Sequence, residues 1–141
     1  MVNAEIINGR VRELNENIIL LEELHAVPFG EFSGDPKKFK LARYCLQISI
    51  QSLLDICHHI IVDSDWQRPK NNQEAIEIVA RKKVIPLDLM KSVLPLVGLR
   101  NILVHEYLAV DNRLLYDNLQ NLQDFREFQK HILTYLKNNP G

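Results

Sequence analysis

Cysteine is nearly absent from this chain. Cys45 and Cys57 are the only two among 141 residues. They are too few for a disulfide scaffold, so a reducing compartment is expected. No C-x-x-C and no H-E-x-x-H occurs. The run Cys57-His58-His59 cannot converge on one ion, because consecutive helical residues point about 100° apart. Neither a metal nor any other cofactor is expected. Five scattered glycines leave no glycine-rich phosphate loop and no nucleophile elbow. Charge of one sign is not in excess. Lys and Arg number 17 against 18 Asp and Glu, a net charge of −1. That excludes nucleic-acid binding through overall positive charge and leaves only local basic patches; DNA is not an expected partner. Long apolar runs are missing too. The longest uncharged stretch, Tyr44 to Leu54, falls short of the ~18 apolar residues of a membrane span. Met1 to Arg10 has no signal-peptide core, and neither end carries a lipidation motif. The expectation is a cytoplasmic protein with no membrane partner.

What remains is an ordinary globular mixture. Apolar residues make up 46% and charged residues 25%, which excludes disorder and suits one domain over residues 1–141. The breaks are few: Pro28 to Pro36, Asp63 to Asn72 around Pro69, Pro86, and Asp111-Asn112. Between them the apolar period is helical, and no segment demands a strand.

Ile7, Val11, Leu14, Ile18 and Leu21 form one seam on a helix from about Asn3 to Ala26. Asp35 caps a second helix from about Pro36 to Val62, whose seam is Leu46, Ile50, Leu53, Cys57 and Ile60. Cys57 therefore reads as a small core residue. A short helix fits Gln73 to Lys83. The segment from Pro86 to about Tyr107 carries Pro95 inside it, which should kink or split it. Its apolar residues, Leu96 to Leu108, point almost all round, as in a helix buried on most sides. A turn or short helix follows at Arg113 to Leu119. The last helix, about Leu122 to Leu136, turns Leu122, Phe125, Phe128, Ile132 and Leu136 inward. The fold expected is an all-α up-and-down bundle of four main helices with one or two short ones.

The densest polar cluster on an apolar background is Arg100-Asn101-Ile-Leu-Val-His105-Glu-Tyr107. Asn101 and His105 lie one turn apart on one face. Arg100 and His105 are about 140° apart on an ideal helix. They converge if Arg100 swings, if the helix ends near His105, or if a second copy meets the first across a twofold axis. An arginine among Leu99, Ile102 and Leu103 needs a partner. One reading pairs it with Asp55 or Glu106 and makes His105 a hydrogen-bonded core histidine. The other reading is a phosphate site. Metal-independent RNA cleavage needs a base for the ribose 2′-OH, an acid for the leaving 5′ oxygen and a cation on the phosphate. Histidine and arginine supply these roles, and an amide adds a neutral hydrogen bond.

Asp55 has two readings as well. It bonds His59 one turn on, or it orients Arg100 or His105 from the neighbouring helix. The basic groups Lys37, Lys38, Lys40 and Arg43, and Arg81, Lys82, Lys83 and Lys91, are solvated helix faces or RNA contacts. Trp66 is a lid or packing residue, or a base-stacking platform.

R-N-I-L-V-H-E-Y resembles the R-x-x-x-x-H-x-Y signature of the HepT-like ribonuclease toxins of the HEPN superfamily. The resemblance covers nearly the whole chain. It includes Asn15-Glu16-Asn17 with Leu20, Leu21 and Leu24, then Leu46 to Ile50 and Leu54 to Ile61. It continues through Arg68-Pro69 to Pro86, Gly98-Leu99 ahead of the motif, and Phe125 with Phe128. The resemblance implies that Arg100 and His105 are the catalytic pair of a metal-independent endoribonuclease, with Asn101 at the polar position after the arginine. It implies a homodimer whose two motifs face one cleft, and RNA as substrate. It implies a partner, an MntA-like nucleotidyltransferase antitoxin, that silences the toxin by transferring AMP to Tyr107. Two other classes stay open: a non-catalytic helical module that binds a nucleotide or a nucleotidyltransferase through the same groove, and a plain structural bundle.

Overall fold

The computed structural model describes residues 2–140, with Tyr107 described by its backbone alone. The described residues form helices and turns, without a strand. Helix α1 spans Ala4–His25, α2 Phe29–Ser33, α3 Pro36–Asp63 and α4 Asn72–Arg81. Then come α5 Leu87–Val93, α6 Pro95–His105, α7 Asn112–Asn118 and α8 Leu122–Asn138. Single 3-10 turns sit at Tyr107–Ala109 and Leu119–Asn121.

The ends of these helices follow from local chemistry. Asn3, Asp35, Asn71 and Asp111 each accept a backbone N–H of the first turn with the side chain, capping α1, α3, α4 and α7. Asp65 (φ 56°) and Lys83 (φ 63°) turn left-handed just beyond α3 and α4, a common way to stop a helix. Pro95 splits the fourth segment. It takes the first turn of α6, where its missing N–H costs nothing.

Helix α3 is the centre of the bundle. It packs most extensively on α1 and also contacts α2, α4, α6, α7 and α8. The seams expected on α1, α3 and α8 are all buried, Cys57 included. Each large side chain so buried is worth roughly 1.5–3 kcal/mol. Burial pushes the Cys57 thiol up to about 12. By length and composition α3 passes for a membrane-crossing helix, yet 61% of its most apolar window is buried against the other helices.

Two expectations need correction. The stretch read as a break at Pro28 to Pro36 contains the short helix α2. Phe32 is fully buried there, Phe29 and Phe32 meet the Tyr116 ring, and the Tyr116 hydroxyl donates to the Val27 carbonyl at 2.6 Å. Aromatic packing from a distant helix overrides the local breakers. Second, α6 is not buried on most sides: only Leu99 and Leu103 are buried. Val104 is 37% and Leu108 94% exposed. Helices α3 and α5 cover one side of α6 and leave the other open.

Arg126 on α8 ties that helix to α1. Its guanidinium donates to both Glu22 carboxylate oxygens (2.6 and 3.2 Å) and to Asn15 Oδ1 (2.6 Å). The Arg126 hydrogen bond holds the Glu22 carboxyl below its ordinary range, against a weaker opposing push from burial. A lowered carboxyl stabilises the fold above its unfolded pKa, and that share is lost as the pH falls through the folded value. Arg126→Ala is expected to cost about 1 kcal/mol at neutral pH, since both groups are partly solvated. The gap from the parent should close in acid below the glutamate range. Urea unfolding at several pH values checks it; a gap that widens in acid contradicts the assignment.

Candidate ribonuclease motif on α6

The polar cluster occupies the C-terminal half of α6 and the turn after it. Arg100 is half-buried. Its Nη1 donates to Asn101 Oδ1 at a long 3.4 Å, and its Nε is buried with no hydrogen-bond partner. Among the described residues no carboxylate forms an ion pair with it. Pairing of Arg100 with Asp55 or Glu106 is therefore not what the structure holds. A guanidinium left with a buried, unsatisfied donor is costly for the free fold, and a ligand that accepts from it offsets that cost.

His105 is the last residue of α6, exposed and without a hydrogen-bond partner among the described residues. It is not the buried core histidine of the structural reading. The Glu106 N–H still reaches the Ile102 carbonyl, but its backbone (φ −115°, ψ 52°) has left the helix. The chain turns immediately after His105, one of the three routes by which the histidine and Arg100 can face a common ligand. Asn101, one turn before His105, is exposed on the same face. The side chain of Tyr107 lies outside the described residues; its backbone opens the 3-10 turn that follows.

Asp55 is a correction. It accepts from Gln51 Nε2 at 2.9 Å and lies 3.9 Å from Arg10 Nε. It neither orients Arg100 or His105 nor bonds His59. The reason is angular. Gln51 and Asp55 lie one turn apart on the line of α3 that meets Arg10 on α1. Cys57-His58-His59 does not fold into a shared ligand set. His58 bonds Asn72 Oδ1 at 2.9 Å. The described residues include no group of three or more His, Cys, Asp or Glu placed to hold a metal. Trp66 packs partly buried against the core with Lys82 Nζ 5.3 Å from its ring centroid, which is the packing role.

One positioning residue escapes sequence reasoning. Arg43 on α3 donates from Nη2 to the Leu103 carbonyl at 3.0 Å. That carbonyl belongs to the last turn of α6, where backbone acceptors run out of intrahelical donors. The bond fixes the end of α6 two residues before His105. Arg43 was one of the basic residues offered to RNA; here it braces the motif instead. Lys38, from the same group, is tied to Asp35 at 3.0 Å. Lys37 and Lys40 remain exposed. No pattern within α3 marks Arg43 as different from its basic neighbours, because its partner is a backbone carbonyl from a distant helix.

The family described as ribonuclease HepT-like matches residues 14–132. The tRNA nuclease HepT of Aphanizomenon flos-aquae is 25% identical over 139 residues, covering 96% of this chain and 95% of the relative. The mRNA nuclease HepT of Shewanella oneidensis is 29% identical over 104 residues, 67% of this chain and 77% of the relative. Among solved structures, the tri-AMPylated Shewanella oneidensis HEPN toxin, in complex with MNT antitoxin, superposes with a TM-score of 0.82 at 23% identity. That match covers 95% of this chain and 99% of the toxin, and it shows a common fold. A family match across most of the chain, on an all-α bundle that carries the R-x-x-x-x-H-x-Y residues at the end of α6, means that this chain belongs to the HepT-like ribonucleases.

Proposed function

We propose that this chain is a metal-independent endoribonuclease toxin that cleaves RNA by 2′-OH attack and is silenced by AMPylation of Tyr107. The observation that carries the reading is Arg100: a half-buried guanidinium with no carboxylate partner and an unsatisfied Nε, on the same helix as the exposed His105. Arg100 offers paired N–H donors to the non-bridging phosphate oxygens and stabilises charge that builds there. Asn101, already touching Arg100, presents its amide beside them. One histidine takes the proton from the ribose 2′-OH as that oxygen attacks phosphorus. The bond from phosphorus to the 5′ oxygen breaks, and an acid returns a proton to that oxygen. The products are a 2′,3′-cyclic phosphate and a 5′-hydroxyl.

One chain supplies one motif histidine, and the reaction asks for a base and an acid. Two copies facing each other across a twofold axis supply both. The exposed apolar residues beside the motif support that arrangement. Val104 and Leu108 flank His105 and are open, and Tyr44, next to the bracing Arg43, is 61% exposed. A second copy docked on this side would take these apolar side chains out of water.

The partner on this reading is an MntA-like nucleotidyltransferase antitoxin, in line with the antitoxin complex and AMPylated state of the Shewanella toxin. AMP on Tyr107 places phosphate charge beside the motif, where it competes with RNA for Arg100. The enzyme works in the cytoplasm, where its RNA substrate is.

A single-stranded oligoribonucleotide with one 2′-deoxy sugar tests the function. The expected result is cleavage of the all-ribose strand and none at the deoxy linkage. Equal cleavage at the deoxy linkage contradicts 2′-OH attack. No cleavage of either strand favours the non-catalytic binding module.

A further inference from the structure

Asn101 is the junction between the motif and a groove of about 500 Å³. The polar residues lining the groove are His58 from α3, Lys70 and Asn71 from the loop after it, Asn72 and Gln73 from the start of α4, and Asn101 from α6. None of the lining residues is a carboxylate, in a chain that has 18 of them. Hydrogen bonding inside the walls sharpens the contrast. Asn71 Oδ1 accepts the Glu74 N–H at 2.8 Å. Asn72 Oδ1 lies 2.9 Å from His58 Nε2 and accepts from that nitrogen in the tautomer that carries the N–H there. Asn101 Oδ1 accepts from Arg100. In all three asparagines the oxygen is engaged within the protein, and the amide NH₂ has no acceptor among the described residues. With the Lys70 ammonium, the three unengaged asparagine amides make donors outnumber acceptors along the groove, to which Gln73 adds a donor and an acceptor together. Such a surface suits a ligand rich in oxygen acceptors and negative charge. Val97 and Pro69 add apolar wall for a ribose or a base.

We infer that this groove is a subsite for the nucleotide adjoining the scissile phosphate of single-stranded RNA. The flanking phosphate meets Lys70, and the acceptor oxygens of the sugar and base meet the amides of Asn71, Asn72 and Asn101. The inference rests on the ribonuclease reading and extends it by assigning where the substrate is held. Single-stranded RNA exposes base edges and phosphates together, which a groove of mixed amides and one cation can take.

Two variants test it without touching the core. Lys70→Gln removes the cation from an exposed side chain. Asn72→Asp keeps the oxygen that His58 holds, and it adds a carboxylate that the first turn of α4 tolerates. Steady-state cleavage of an oligoribonucleotide is compared with the parent, and thermal unfolding checks that both variants fold alike. Binding of the same oligonucleotide is measured in a His105→Ala background across a salt series. Lys70→Gln is expected to raise KM several-fold with kcat within about twofold. It should lower the slope of log affinity against log salt by about 0.7, the signature of one lost phosphate contact to a single strand. Asn72→Asp is expected to raise KM by about tenfold or more, because it sets like charges together. A parent that cleaves while both variants keep its KM and salt slope overturns the groove assignment alone. A fall in kcat with unchanged KM overturns it as well. A parent that neither cleaves nor binds RNA brings down the ribonuclease reading, and the groove with it.

Discussion

Arg100→Leu yields a chain that cleaves RNA at least ~100-fold more slowly than its parent and is no less stable. Both halves follow from the same geometry. The guanidinium has no carboxylate partner, its bond to Asn101 is long at 3.4 Å, and its Nε is buried without a partner. Replacing it with leucine breaks no ion pair and removes the unsatisfied donor. Leucine and arginine have similar helix propensities, so α6 itself is not weakened. The expected change in stability lies between zero and about 1 kcal/mol in favour of the variant. Urea unfolding measures it. A loss of more than about 1 kcal/mol would make Arg100 a structural cation, as in the plain-bundle reading. A site that costs the fold something is what function at this position predicts.

His105→Ala removes turnover by another route. General acid–base groups are worth roughly 10²–10⁴ in rate, and this one is expected to fall in that range. The side chain is exposed and makes no hydrogen bond among the described residues. Its truncation should therefore shift stability by no more than about 0.5 kcal/mol. Circular dichroism should show the same helicity as the parent, and RNA binding should persist. The pair of variants separates the readings. An enzyme loses turnover in both while keeping its fold; a pure binding module loses affinity and has no turnover to lose.

Much of the frame was legible before the fold. Three- and four-residue steps identify the buried seams of α1, α3 and α8, and Pro95 marks the split between α5 and α6. The motif residues stand out because arginine, asparagine and histidine interrupt an apolar segment. What was illegible is which neighbour each face meets. Asp55 lies on a well-defined line of α3, but periodicity within one helix does not say that Arg10, rather than Arg100, faces that line. Arg43 looks like any basic residue until the Leu103 carbonyl arrives beside it. The all-round apolar pattern of α6 suggested burial, yet it reports the total apolar surface and not how much a single chain covers. Exposed Val104 and Leu108 are that difference. The groove beside Asn101 depends on four segments meeting and on asparagine oxygens being occupied, and neither is written in local spacing.

Metal-independent cleavage through the ribose 2′-OH by Arg100 and His105 leaves its signature in the chemistry of the product ends. The purified chain, shown by mass spectrometry to be unmodified at Tyr107, is incubated with single-stranded RNA in EDTA, alongside His105→Ala. The parent should give fragments that end in 2′,3′-cyclic phosphate and begin with 5′-hydroxyl, and the variant none. Fragments with 5′-phosphate ends, cleavage that EDTA abolishes, or equal cleavage by His105→Ala would contradict this mechanism.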